Sequence, residues 1–182
     1  MGVPFDPTKR MRATPHISKP ITTTGTYKTY YSRNSTNTGY PRANAKKLVK
    51  KGSFQSFQKG AVYSSSKGTY LNKGAIRSAY KTAKYEKGKL GYPASEEKTF
   101  KNKKGAKYQK YQGGLITYSS KTGAKSMSGA ILNEWKDEGS EKSKLGLPVT
   151  NEYKSGTTVK QKFEKGYIVK PKSQSAKTII TK

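Results

Sequence analysis

The chain of 182 residues has no cysteine and one histidine, His16. Without cysteine there is no disulfide framework, no thiolate zinc site and no thiol nucleophile. A single histidine excludes a histidine cluster around a metal. A Ser-His-Asp triad would have to use His16, which lies in an irregular stretch between Pro15 and Pro20. No apolar run approaches the length of about 20 residues that a membrane helix needs. The first residues, Met1 to Pro7, show no basic stretch followed by an apolar one, so they are not read as a signal peptide. Carboxylates are scarce, with 10 Asp and Glu against 38 Lys and Arg, for a formal net charge of +28. Arginine is scarce too: Arg10, Arg12, Arg33, Arg42 and Arg77 are all there are, so lysine carries the charge. Leu, Ile, Val and Phe together number 26, a share at which strongly charged chains are usually disordered. What the chain does have is 14 tyrosines and one tryptophan. Any core is therefore thin and rich in tyrosine.

Internal repetition supplies the evidence for order. Gly39-Tyr-Pro41, Leu90-Gly-Tyr-Pro93 and Leu145-Gly-Leu-Pro148 recur, at spacings of 52 and 55 residues from glycine to glycine. Phe54 to Tyr63 aligns with Tyr108 to Tyr118, and more loosely with Gln161 to Val169. Gly74 to Tyr80 matches Gly129 to Trp135. Within a repeat, the aromatic stretch, the glycine turn and the apolar stretch predict two strands, with a third at Ala124 to Met127. Ile131, Leu132 and Trp135 fall on one face of a short helix that Gly139 stops, and Ile76, Ala79, Tyr80 and Ala83 make the same face. The chain divides into an arm or linker expected to be disordered at 1–24, a possible capping strand at 25–38, repeats at 39–89 and 90–144, a partial repeat at 145–170 and a tail at 171–182. Ile179 and Ile180 leave open that the tail is a strand of the incomplete repeat.

These phrases resemble the LGFP repeat of Gram-positive surface proteins. Residues 90–139 match nearly all of its pattern: Leu90-Gly-Tyr-Pro93, Glu96-Glu97, Tyr108, Gln109, Tyr111, Gly114, Ile116, Tyr118, Thr122-Gly123, Gly129, Ile131 and Trp135. The first repeat departs at Thr38, Ala45 and Tyr80, and the third ends early after Leu145-Gly-Leu-Pro148 and Glu152. The resemblance implies a β-rich repeat fold, mainly β with one short helix per repeat. It would be propeller-like or an open arc, closed if at all by Tyr27 to Ser32 and the tail. It also implies an extracellular module bound to the cell wall, often behind a catalytic domain that this chain lacks.

The function expected is non-catalytic binding to wall polysaccharide, peptidoglycan or teichoic acid, with no cofactor and no metal. Tyr63 and Tyr118 close their strands beside serine-rich turns, where a ring and nearby hydroxyls suit a sugar face. Tyr40 and Tyr92 offer either a sugar platform or a packed corner held between glycine and proline. Lys46, Lys47, Lys50, Lys51, Lys103, Lys104, Lys107 and Lys110 supply the attraction for an anionic polymer. Lysines at strand edges also discourage edge pairing. Trp135 and Tyr80 are expected in the core, Glu97 and Glu152 as caps or lysine partners, and Glu134, Asp137, Glu138 and Glu141 on a solvated helix end. The alternatives are a basic protein that binds single-stranded nucleic acid and a secreted cationic toxin. Scarce arginine and the lack of a nucleic-acid signature weigh against the first, and the lack of a long amphipathic helix against the second.

Overall fold

The computed structural model describes residues 20–181. Residues 1–19 of the expected arm, with His16, lie outside the described residues. Residues 20–24 are irregular but anchored: the Thr22 N–H donates to Asn44 Oδ1 at 2.9 Å, and its carbonyl accepts from Gln55.

Three antiparallel sheets of four strands follow one another along the chain. The first contains β1 (Lys46–Lys47), β2 (Ser53–Phe57), β3 (Gly60–Ser65) and β4 (Gly68–Lys73). The second contains β5 (Lys98–Thr99), β6 (Lys107–Tyr111), β7 (Gly114–Ser119) and β8 (Gly123–Ser128). The third contains β9 (Tyr153–Ser155), β10 (Thr158–Phe163), β11 (Gly166–Lys170) and β12 (Lys177–Ile180). Each strand pairs with its neighbour in sequence, so each sheet is a simple meander. Helix α2 (Gly74–Thr82) follows the first sheet and α3 (Gly129–Asp137) the second. The series is open and does not close on itself.

Residues 25–38 form helix α1 (Gly25–Thr38), kinked at Asn34, where a capping strand was expected. The Thr- and Tyr-rich stretch has strand propensity, but packing overrides it. Tyr27 joins Phe57, Val62 and Leu71 in a buried cluster, and Tyr31 stacks on Phe57 at 5.7 Å. The segment still covers the first sheet, as the corresponding face of Tyr80 does against Tyr111 at 4.7 Å in the next repeat. The expected tail provides β12, which pairs with β11 and completes the third sheet.

The first two sheets bury both faces. Ala61 and Tyr63 face the layer between the first and second sheets, whereas Val62 faces α1. Ile116 enters that same first layer, and Leu115 enters the layer between the second and third sheets. Successive side chains on a strand point to opposite faces, so a continuous apolar run feeds two cores at once. Tyr80 and Trp135 are buried, and their polar atoms find equivalent partners. Tyr80 Oη donates to the Gly91 carbonyl at 2.8 Å, and Trp135 Nε1 to the Gly146 carbonyl at 3.0 Å.

One glutamine per sheet sits fully buried at each junction. Gln55 Nε2 bridges the carbonyls of Thr22 and Ala43. Gln109 bridges those of Leu71 and Ser95, and Gln161 those of Ser126 and Thr150, all at 2.8–3.0 Å. In each case one carbonyl precedes the repeat and the other belongs to it. A second set closes the Gly-X-Pro corners: the Tyr40 and Tyr92 N–H groups donate to the Oε1 atoms of Gln58 and Gln112, and the Leu147 N–H to Glu164 Oε2.

The junctions also differ in shape. Tyr92 Oη donates to the Val49 carbonyl, and its ring lies over Gly52, where an added Cβ would come within 2.2 Å of the ring. At the second junction the smaller Leu147 shares a core with Ala106, which occupies the place of Gly52. Asn72 Nδ2 donates to Gln109 Oε1 and Tyr111 Oη, both at 2.8 Å, whereas Met127 and Phe163 fill the matching places with apolar contact.

Gln109→Leu strands two backbone carbonyls and removes the acceptor for Asn72 and Tyr111. It is expected to cost about 2–4 kcal/mol. Gln55→Leu removes the same kind of bridge, but the Gln55 Oε1 atom has no protein partner among the described residues. Its expected cost is about 1–2 kcal/mol. Urea unfolding of both variants checks the order; equal costs would show that the Asn72–Tyr111 network adds nothing.

Candidate functional site

The lysines are spread over edge strands and loops. Lys46 and Lys47 form the exposed edge strand β1. Lys50 and Lys51 follow in a loop, exposed and with positive φ of 52° and 58°. Lys104 and Lys110 are exposed as well. Lys103 and Lys107 depart from the expectation of free polymer contacts. Both are half-buried: Lys103 Nζ pairs with the Glu164 carboxylate, and Lys107 Nζ lies 2.9 Å from Glu97 Oε1. They stand at junctions where the few carboxylates of the chain also stand, so their charge is already paired.

Glu152 accepts from the Ser128 N–H and hydroxyl, at the residue that precedes α3, and lies 4.0 Å from Lys89. Glu97 and Glu152 thus serve as a lysine partner and a helix-start acceptor, as read from the sequence. Glu96 accepts from Tyr30 Oη at 2.7 Å. Its burial raises the carboxyl above its ordinary value, against the hydrogen bonds from Tyr30 and Leu71 and the charge of Lys73.

The four tyrosines have different fates. Tyr40 is 70% exposed and Tyr92 only 1% exposed. Tyr92 has the preceding repeat to pack on; Tyr40 begins the first repeat and has no such neighbour among the described residues. Tyr63 is buried, stacked on Phe54 at 5.7 Å and edge-on to Tyr80 at 5.5 Å. Burial pushes its phenol well up, so it stays neutral. Tyr63 and Tyr92 therefore present no ring face to a sugar: the sugar-contact expectation for Tyr63 is corrected, and Tyr92 takes the packed corner of its two alternatives. Tyr118 remains half-exposed. The strand register explains the split. Tyr63 is the third residue after Gly60 and pairs with Phe54, while Tyr118 is the fourth after Gly114 and pairs with Lys107. An offset of one residue turns the two rings to opposite faces of their sheets, into the same layer from either side.

Tyr118 lines a cavity of about 310 Å³ at the mouth of the first junction, with Lys59, Lys73, Lys107, Glu97 and the start of α2. A cleft of about 610 Å³ carries Lys84, Lys87 and Lys89 opposite Asn151 and Glu152. Another, of about 570 Å³, sets Lys110 beside Phe100, Tyr108 and Trp135. Sequence reasoning missed Phe100 and Tyr108 as surface rings. The alternation of lysine and aromatic residues from Lys98 to Lys110 was the available signal. Among the described residues no group of three His, Asp or Glu side chains converges as for a metal, and no helix is long and apolar enough to cross a membrane.

Glu164 has a backbone N–H and two lysines as partners at the second junction. Burial alone would raise its carboxyl; the Leu147 N–H and the charges of Lys103 and Lys121 outweigh that and hold it below the ordinary 4.5. A depressed carboxyl adds stability above its unfolded value, and that stability is lost as pH falls through the folded value. Glu164→Gln keeps an acceptor for Leu147, as Gln58 and Gln112 do for their corners, but loses the charge. The variant is expected to be less stable than the parent at pH 7, with the gap closing below about pH 4.5. Glu96 is common to both proteins and cancels in the comparison. Thermal melting from pH 7 to pH 3 measures the gap, and a gap independent of pH removes the ion-pair account.

No curated protein matches the chain. The family model described as the LGFP repeat matches residues 39–88 and 90–143, which together make up more than half of the sequence. The matched stretches span the first two sheets together with α2 and α3. With the corner, the buried glutamine and the helix returning in each, the chain belongs to the LGFP repeat family, a cell-wall-associated family of repeat modules.

Proposed function

We propose that this chain is a non-catalytic module that attaches to an anionic polymer of the cell wall, such as a polysaccharide, peptidoglycan or teichoic acid. The observation that supports it best is a net charge of +28 carried almost wholly by lysine on a wall-associated repeat. Lysine is a compact, strongly hydrated charge without the planar fork of arginine. It suits long-range attraction to a charged polymer better than the reading of bases. Lys46, Lys47, Lys50, Lys51, Lys104 and Lys110 are the exposed members of the set. Tyr40 and Tyr118 are its ring contacts. The open series of meanders reads as an arc of a propeller-like array, working outside the cell beside a catalytic domain carried elsewhere.

Two components of binding follow. Screening shortens the reach of a charge to about 8 Å at physiological ionic strength and further at higher salt. Lysine-driven adhesion to purified Gram-positive walls is therefore expected to drop steeply towards 0.5 M salt, leaving a weaker residue that Tyr40→Ala with Tyr118→Ala removes. Sedimentation with walls, with and without teichoic acid, measures both components. A protein that leaves walls completely at high salt yet keeps single-stranded DNA is a nucleic-acid binder instead.

A further inference from the structure

The two complete repeats follow one plan, and they differ at the turn that follows each helix. After α2 and α3 the chain makes a single 3-10 turn, Tyr85–Lys87 in one repeat and Ser140–Lys142 in the other. Tyr85 and Ser140 open these turns with the same left-handed backbone, at φ 52° and 60°. In the first repeat the Tyr85 ring stands edge-on to Tyr80 at 5.4 Å and packs on the core shared by Leu48 and Phe54. In the second repeat there is no ring at this place. The cleft of about 570 Å³ lies there, lined by Ser140 and floored by Phe100 and Tyr108, with the buried Leu115 and Trp135 beneath them. Phe100 lies 4.6 Å from Tyr108 and 6.5 Å from Trp135, the latter edge-on. Phe100 and Tyr108 are half-exposed. Lys98, Lys101, Lys110, Lys136 and Lys142 line the cleft with them, and Glu141 is the one carboxylate among its lining residues.

We infer that this cleft binds a negatively charged sugar unit, a ring bearing carboxylate or phosphate. The cleft has the size of a small-ligand site, which typically encloses about 300–1,000 Å³. Aromatic floors take the apolar faces of small rings, and lysine stems lie along apolar surface while their ammonium groups stay at the rim. An uncharged glycan would leave the five ammonium groups without a partner, and a bare polyanion would leave the floor uncovered. The inference rests on the wall-binding reading for the source of the sugar. The place of the cleft comes from the comparison of Ser140 with Tyr85 and does not depend on that reading.

Trp135 is the only tryptophan of the chain and lines the cleft, so its fluorescence reports occupancy. The probes are oligogalacturonate for the carboxylate, teichoic-acid fragments for the phosphate, and dextran oligomers, polyphosphate and oligo-dT as controls. At least one charged glycan is expected to shift Trp135 emission with a Kd at least tenfold below those of the three controls, and the stronger arm identifies the anion. Ser140→Tyr restores the ring of the first repeat on a backbone that already accepts tyrosine there, and is expected to weaken binding at least tenfold. Lys101→Ser with Lys142→Ser changes only exposed side chains, is expected to weaken binding several-fold, and decides the matter should Ser140→Tyr fail to fold. Parental binding by these variants, tighter binding of oligo-dT, or no response to either charged glycan overturns the inference. Adhesion to whole walls by a protein whose Trp135 emission answers to neither charged glycan sinks the cleft and leaves the wall module standing. Glycan fragments that bind at the cleft of a protein that ignores whole walls do the reverse.

Discussion

A meander of four short strands has two apolar faces and no interior, and every other feature of this protein answers to that constraint. A single sheet would leave one face wet, so the core lies between repeats and, at the first sheet, under helix α1. Ala61 and Val62 are adjacent in sequence and contribute to different cores, as do Leu115 and Ile116. Sharing layers between neighbouring units lets a chain poor in aliphatic side chains fold. Tyrosine makes up the volume where its hydroxyl reaches a carbonyl, as Tyr80 and Tyr92 do. The buried glutamines supply direction: each fixes a strand of one repeat against the backbone of the segment before it, which apolar contact alone does not specify.

The scarcity of carboxylates looks different once they are placed. Glu96, Glu97, Glu152 and Glu164 all stand at junctions and accept from backbone N–H groups, tyrosine or lysine. Four of the ten acidic residues are therefore structural. Most lysines then stay outside with no opposite charge beside them, and the imbalance becomes a property of the surface. The same arrangement explains why Lys103 and Lys107 behave unlike their neighbours in sequence: they are the lysines nearest the structural carboxylates.

Much of the architecture was legible in the sequence. The repeated Gly-X-Pro corners gave the junctions, the change of hydrophobic period gave α2 and α3, and Trp135 and Tyr80 read as core because they recur on one helix face. Helix α1 was not legible from composition, since Thr26 to Tyr31 is a strand-forming stretch that becomes helical only against Phe57 and Leu71. Its one signal was Gly25, which has positive φ at the helix start as Gly74 and Gly129 do. The fates of Tyr63 and Tyr118 turned on a single residue of register, which the similar spacing of the two phrases conceals. The cleft beside Ser140 was hidden for another reason. It is made by a side chain that is missing relative to the neighbouring repeat, and an absence becomes visible only when two folded copies are compared.

Tyr92 over Gly52 and Leu147 beside Ala106 are two solutions to one packing problem, large on small and medium on medium. Asn72 with Tyr111 and Met127 with Phe163 repeat the theme in polar and apolar form. The units therefore resemble one another in backbone but not in mating surface. Descendants of a duplicated segment that have drifted in matched pairs lose their interchangeability, and the order of the repeats becomes fixed in the sequence. A unit copied or moved by recombination would arrive with the wrong counterpart, so such an array grows by accommodation at each new seam.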